Sequence, residues 1–533
     1  MSTRPVSTAS THDVVIVGGG HNALVAAAYL ARAGRSVLVL ERLDHLGGAA
    51  VSERPWRGVD AALSRYSYLV SLLPRRIIDD LGLTIELRRR RYASYTPDPS
   101  DPTRGILVDN ADRAATAASF ARTTGDAAEA GRFTDFQRRI AALGPALFPL
   151  MTEPLVRRSA MRTRVGDEVL WEQVFEQPLG GMLRADLGTD ISQGIALTDG
   201  LIGTFASSDD ASLRQNRCFV YHVIGGGTGD WDVPVGGMGR VSGELERAAR
   251  SAGAELRTGS PVESVTADGE VRVGGADPAT FQARLVLSGV GPTILDALLA
   301  AGDGTPVDHA PGPEGAQVKV NMLLSRLPRL HDTSVAPEAA FGGTFHINET
   351  LSQLDAAFAT ASSGAIPDPL PAEIYCHSLT DPSILGPELR AQGAQTLTLF
   401  GLQVPHRLVK EADAAAARAA VLQSAQRSLD AVLAEPIADC IYEAPDGTPC
   451  IEARTTADLE ESLGMTGGDI FHGALSWPWA EDDEPLETPA QRWGVATAHP
   501  RILLCGSASR RGGAVSGLGG HSAAMAALEI LAG

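Results

Sequence analysis

The stretch from Asp13 to Glu41 constrains the fold of this chain more than any other. Asp13-Val14-Val15-Ile16-Val17 is a short β-branched run that breaks into Gly18-Gly19-Gly20-His21-Asn22-Ala23, and a helix-forming segment from Leu24 to Ala33 follows before Gly34. β-Branched residues suit a strand, and glycines allow a turn tight enough for the chain to return at once as a helix. The spacing is G-x-G-x-x-A. Gly18 permits the turn, Gly20 lets a pyrophosphate approach the backbone, and Ala23 is small enough for the helix to pack on the strand. His21 and Asn22 sit where they serve the turn. Phosphates would face the unpaired N–H groups and the positive dipole end of that helix. A second strand, Ser36 to Leu40, ends in Glu41, 23 positions beyond Gly18. A carboxylate there accepts hydrogen bonds from ribose hydroxyls and repels a 2′-phosphate, so the unit is expected to hold FAD or NAD rather than NADP.

Two features outside this unit favour FAD. Arg42-Leu43-Asp44-His45-Leu46-Gly47-Gly48-Ala49 follows the acid directly, and its paired glycines would let a loop backbone come close to the cofactor. Near the other end, Ile502-Leu503-Leu504-Cys505-Gly506-Ser507 and Gly512-Gly513-Ala514-Val515-Ser516-Gly517 precede a small-residue segment to Leu531. That reads as strand, glycine-rich loop and helix start. A second nucleotide fold is not found. Phe219 to Ile224 before Gly225-Gly226-Gly227 imitates a strand and glycine turn, but Asp230-Trp231-Asp232-Val233-Pro234 cannot open a nucleotide-binding helix and is read as a loop. Val286 to Val290 before Gly291-Pro292 is read as leading into a helix with proline in its first turn. Disulfide reductases and NAD(P)H-dependent monooxygenases are therefore disfavoured.

The 533 residues, 44% hydrophobic, suffice for a sizeable core in two to four domain-sized units. A formal charge of −19 argues against general nucleic-acid binding, which needs a cationic surface. The one basic run, Arg88 to Arg91, is read as a solvated strand edge or loop and given no functional weight. Cys218, Cys376, Cys440, Cys450 and Cys505 form no C-x-x-C pair and suggest reduced thiols in a cytosolic setting. The twelve histidines show no ligand spacing, and no metal is expected. The polar stretch 1–11, read as flexible, lacks the apolar core of a signal peptide, and no apolar run reaches about 18 residues. Membrane contact is expected to be peripheral at most.

On these residues the chain resembles the FAD-dependent phytoene dehydrogenase and carotenoid desaturase-related superfamily, closest to its pyridine nucleotide-disulfide oxidoreductase domain-containing branch. The resemblance runs nearly end to end. It includes Ser64-Arg65-Tyr66-Ser67-Tyr68-Leu69, Pro234-Val235-Gly236-Gly237-Met238-Gly239 and Met465-Thr466-Gly467-Gly468-Asp469-Ile470-Phe471-His472-Gly473. It implies that Gly506, Ser507, Val515, Ser516 and Gly517 contact the flavin and its ribityl chain, and that the backbone near Val262 contacts adenine. It also brings His472 near the isoalloxazine. Two departures stand out: Arg510 and Arg511 occupy a loop where relatives often carry small residues, suggesting a more cationic flavin edge, and the missing C-x-x-C removes disulfide chemistry.

The expected fold is α/β, a Rossmann-like FAD-binding domain with a discontinuous α+β substrate domain of flavin amine oxidase or phytoene desaturase type. The FAD-binding domain is assigned to 12–90, 225–300 and 450–533, and the substrate or cap domain to 91–224 and 301–449. Strand-like runs at Val318 to Leu324, Glu373 to Leu379 and Thr396 to Val404, with a helix from Lys410 to Leu433, suggest a mixed sheet roofing the flavin. The expected activity is removal of a hydride from a C–H of a hydrophobic or amine-bearing small molecule, with oxygen or a quinone as acceptor. A redox-neutral isomerase or saturase and a non-catalytic flavin-binding protein are the alternatives. Arg65, Tyr66, His472 and Trp477 are candidates for the flavin face, with His472 and Arg65 as catalytic candidates and a structural role open for both. Substrate identity and self-association are not readable from the sequence.

Overall fold

The computed structural model describes residues 10–304, 313–410 and 413–533. Of the stretch expected to be flexible, 1–9 lies outside the described residues, whereas Ser10 and Thr11 open strand β1 (Ser10–Val17). They are drawn into the strand because the parallel neighbour Ala279–Ser288 is long enough to pair with both, at Phe281 and Gln282.

β1 lies at the centre of a seven-stranded sheet, between Ala279–Ser288 and β2 (Val37–Leu40) and parallel to both. Glu255–Arg257 extends this sheet beyond β2, while Ile502–Leu504 adds to Ala279–Ser288 and so brings the end of the chain beside its beginning. Val14 and Ile16 face one hydrophobic core and Val15 and Val17 the other. Burial on both faces explains the unbroken apolar run.

Helix α1 (His21–Arg32) is buried along its length except at Tyr29 and Arg32. It packs against helices Met238–Ser251 and Leu518–Ala532. Such close approach needs small side chains, which Ala26, Ala27 and Ala28 supply on one helix and Gly520 on another. A Cβ at Gly520 would lie 1.9 Å from the Asn22 carbonyl oxygen.

The second seven-stranded sheet runs in the order Ile451–Arg454, Val318–Leu324, Gln395–Gly401, Ala372–Tyr375, Thr344–Ile347, Tyr92–Asp98 and Asp101–Asp109. Only the pairing of Tyr92–Asp98 with Thr344–Ile347 is parallel. Strand Ile451–Arg454 thus joins this sheet although the sequence assignment placed 450–533 in the first domain. Its apolar face, with Val320, Phe345, Ile374 and Leu399, is covered by helix Ala414–Asp430. This helix is shorter than the expected Lys410 to Leu433: Asp413 caps it by accepting from the N–H groups of Ala415 and Ala416, and 411–412 lie outside the described residues. The run from Glu373 leaves the sheet after Tyr375, with a helical turn at His377–Thr380.

Phe219 to Ile224, which imitated a strand, belongs mostly to helix Arg214–Val223. It joins a helical layer whose core includes Phe133, Phe136, Trp171 and Leu183. Val286 to Ser288 ends a strand, and Pro292 opens helix Pro292–Asp303 as expected. Gly520→Ala is expected to force α1 away from Leu518–Ala532 at a cost of about 1–3 kcal/mol. A lowered unfolding midpoint by scanning calorimetry checks this; an unchanged one would refute the close-approach argument.

Candidate functional site

A cavity of about 600 Å³ extends from Glu41 and Arg42, past the glycine turn, to the second sheet. At its first end lie Gly18, Gly20, His21, Asn22 and Ala23. Beyond its immediate chain neighbours, nothing lies within 4 Å of where a Cβ on Gly20 would be, so the backbone there borders open space. Gly20 also precedes α1 without a side-chain cap, which leaves the first-turn N–H groups available to an anion.

Glu41 is buried, and its carboxylate accepts from the Gly19 N–H at 2.7 Å and the Leu43 N–H at 2.8 Å. These bonds fix the acid at the cavity wall, with lone pairs left for a hydroxyl donor. The next loop is tied down by Gly47, whose N–H donates to the Gly19 carbonyl at 2.9 Å, and by Gly48, where a Cβ would come within 3.2 Å of the Gly20 Cα. Gly48, Ala49 and Arg42 line the cavity, whereas Gly47 braces them from behind. Val262 does not line it: it begins strand Val262–Val265 and packs partly on the core, close to the acid because the Ser260 N–H donates to the Glu41 carbonyl.

Gly506, Ser507 and Val515 line the next part of the cavity; Ser516 and Gly517 are buried behind them at the start of Leu518–Ala532. His21 and Asn22 do more than serve their turn. His21 Nε2 bonds the Ala514 carbonyl at 3.1 Å, Asn22 Nδ2 donates to the Gly512 carbonyl, and the Gly520 N–H donates to Asn22 Oδ1. Burial pushes the His21 imidazole down to about 4, keeping it neutral.

His472 reaches the wall with a left-handed backbone, φ 60°, and an enclosed Nδ1 without a hydrogen-bond partner among the described residues. Burial lowers its pKa to about 4. Tyr66 also lines the cavity. The other two candidates do not. Arg65 pairs with Glu53 and lies 3.7 Å from Glu452, which holds it in an ion network behind the wall. Trp477 stacks on Trp479 at 5.4 Å and meets Phe175 edge-on, as part of the helical layer's aromatic packing. Arg510 and Arg511 do not make the cavity edge more cationic either. Arg511 is buried and donates to the carbonyls of Leu150 and Glu153, while Arg510 pairs with Glu484.

The second sheet supplies the wall that sequence reasoning missed. Register places Lys319 opposite Phe400, Phe400 opposite Glu373, and Glu373 opposite His346, with Tyr375 opposite Thr344 in the neighbouring row. Side chains alternate between faces, so these residues share the face opposite the apolar one. Burial, with Glu349 nearby, pushes Glu373 up to about 7; it accepts from Tyr375 Oη and from Thr198 Oγ1. Asp199, raised to about 8 by burial and the neighbouring Glu373 and Glu349, lines the same end without a hydrogen bond among the described residues. Lys319 Nζ donates to the carbonyls of Ser64 and Tyr66 at 2.7 and 2.8 Å, and burial brings it down to about 7. Arg90, from the run given no functional weight, also enters the cavity. Leu72, Phe133, Phe136, Ile140, Ile202 and Phe219 complete an apolar side. Thr344-Phe345-His346-Ile347 and Ala372-Glu373-Ile374-Tyr375 alternate residues of the polar side with apolar ones, but only pairing aligned them with Lys319 and Phe400.

This combination defines a Rossmann-like dinucleotide-binding fold with a cavity beneath a second sheet. Residues 16–74 match the family of NAD(P)-binding Rossmann-like domains. The chain is 53% identical over 532 residues to an uncharacterized protein of Mycobacterium tuberculosis, covering 98% of this chain and 97% of the relative. It is 30% identical over 567 residues to pyridine nucleotide-disulfide oxidoreductase domain-containing protein 2 of Rattus norvegicus, covering 96% and 92% respectively. The chain belongs to this family of pyridine nucleotide-disulfide oxidoreductase domain-containing proteins. Its fold is shared with a cofactor-binding redesign of putrescine oxidase (TM-score 0.58, 16% identity, 98% and 99% coverage) and with cyclohexylamine oxidase of Brevibacterium oxydans (TM-score 0.56, 14% identity, 98% and 100% coverage).

Removal of the Glu41 carboxylate strips the Gly19 and Leu43 N–H groups of their acceptor as well as any ribose hydroxyl of its partner. Glu41→Ala is expected to weaken dinucleotide binding at least about tenfold, the worth of one charge-assisted hydrogen bond. Calorimetric titration of apoprotein with FAD and with NAD⁺ checks it, and equal affinities in variant and parent would exclude Glu41 from the site.

Proposed function

We propose that the protein is an FAD-dependent oxidoreductase, a desaturase or oxidase acting on a small molecule held between the dinucleotide turn and the polar wall of the second sheet. The observation that carries this reading is the continuity of the cavity from Glu41, past Gly20 and Gly506–Ser507, to His472 and Lys319. Its residues fit FAD: open space at Gly20, an anchored acid at Glu41, and an uncapped helix start are what an adenosine diphosphate half requires, while the C-terminal loop offers backbone to a flavin. Gly18, Gly20, Glu41, Arg42, Gly48 and Ala49 would hold the adenosine diphosphate portion, and Gly506, Ser507 and Val515 the ribityl and flavin portion. The oxidase folds of similar shape are consistent with this use.

When bound, FAD supplies a two-electron acceptor for a hydride leaving a substrate C–H, and oxygen or a quinone takes the electrons onward. The chain itself must exclude water, orient the substrate and take the proton lost from the neighbouring atom. Phe133, Phe136, Ile202 and Phe219 supply the dry side. Lys319 is the group matched to the proton: two of its N–H bonds are held by backbone carbonyls, and burial brings its pKa down to about 7, toward the neutral amine that can accept a proton. His472 also borders this space, but its Nδ1 is enclosed beside Gly291 rather than open to the cavity.

The test is anaerobic mixing of the purified yellow protein with candidate substrates. Bleaching of the flavin bands, restored by air or a quinone, is the expected result; substrate conversion without net bleaching would favour a redox-neutral isomerase, and purified protein unable to bind FAD would overturn the proposal. Because the amine, not the ammonium ion, accepts the proton, kcat/KM should rise with pH through about 7 and then level. Lys319→Met should lower kcat by about 10²–10⁴-fold and abolish that limb. A retained limb would assign the proton to another group.

A further inference from the structure

The four consecutive arginines from Arg88 to Arg91 do not share one environment. Arg88 pairs with Glu86 at 2.9 Å, Arg89 with Asp230 at 2.6 Å, and Arg91 with Asp109 at 2.9 Å. Arg90 has no carboxylate within 4 Å among the described residues. It lies in the connection between strands Leu87–Arg88 and Tyr92–Asp98, where the chain turns its side chain inward. The side chain is half-buried against the cavity, and desolvation lowers its pKa. One hydrogen bond positions it, from Nη1 to Thr344 Oγ1 at 3.2 Å, and its Cζ lies 5.5 Å from the centre of the Tyr375 ring. The rest of the planar fork has no hydrogen-bond partner among the described residues.

A half-buried guanidinium without a counter-ion is costly unless something compensates it. Of the carboxyls closest in effect, Glu373 is pushed up to about 7 by burial and accepts from Tyr375 and Thr198, while Asp232 lies 3.7 Å from Arg89. A Thr344 hydroxyl and an aromatic face hold the fork without neutralising it. We propose that Arg90 is the anchor for a carboxylate on the substrate, so that the molecule oxidised in this cavity is an apolar acid whose carboxylate lies against Arg90 and whose hydrocarbon body lies along Phe133, Phe136 and Phe219. Guanidinium and carboxylate match as a planar bidentate pair.

The substrate class rests on the oxidoreductase reading above, whereas anion binding at Arg90 does not need the flavin, and the test separates the two. Octanoate, octanol and octylamine are titrated calorimetrically into the purified full-length protein, in parallel with its flavin spectrum. Octanoate should bind at least about tenfold more tightly than either neutral or cationic analogue, and Arg90→Gln should remove that preference. Arg91→Gln, which alters the same run at an outward ion pair, should leave it in place. Should Arg90→Gln fail to fold, the three-ligand series on the parent protein still decides. Equal binding of the three ligands, tighter binding of octylamine, or an undiminished preference in folded Arg90→Gln would each overturn the proposal. Octanoate selectivity in a protein that cannot take up FAD would instead sink the flavin reading and leave the anion site standing.

Discussion

The architecture depends on a junction between the two ends of the chain. His21 and Asn22, at the start of α1, hold the carbonyls of Gly512 and Ala514, while Gly520 donates back to Asn22. The two Asn22 bonds are buried and the His21 bond partly so, so water cannot replace them cheaply, and they fix the C-terminal loop against the glycine turn. Gly520 lets the helices approach closely enough for the bonds to form. Without this contact, two glycine-rich loops some 500 residues apart would be separate turns; with it they are opposite sides of one cavity.

The cavity is unequal at its ends. The dinucleotide end is made of backbone: uncapped N–H groups, open space at Gly20, and one acid whose geometry is set by two main-chain donors. Such a site recognises a shape shared by many cofactors and says little about substrate. The other end is made largely of side chains on paired strands, with Lys319, Glu373 and Tyr375 buried and Arg90, from a connecting segment, beside them. Burial moves Lys319 and Glu373 toward neutrality from opposite directions, which brings both into a range useful for holding or passing a proton near pH 7. Specificity and proton handling therefore belong to the second sheet.

The misplaced sequence readings share a cause. Arg65, Trp477, Arg510 and Arg511 lie close in sequence to loops that reach the cavity, but each side chain leaves it: Arg65 for Glu53, Trp477 for an aromatic stack, Arg510 for Glu484, and Arg511 for two carbonyls. Proximity along a loop does not fix the direction of a long side chain. Arg90 errs the other way, since a run of four arginines looks solvated as a block and only its packing separates the one without a counter-ion from three that are paired.

The sequence by itself determined the strand, turn and helix from Val14 to Ala31, the acid at Glu41, and the glycine loop before Leu518, because these rest on local rules: β-branched runs, φ freedom of glycine, and helix periodicity. It also located Val318–Leu324 and the start of Gln395–Gly401 closely. Only the tertiary structure decided that Lys319, Phe400, Glu373 and His346 form one row across four strands. Strand pairing is non-local, and a shift of one residue in register would have turned each of them to the opposite face.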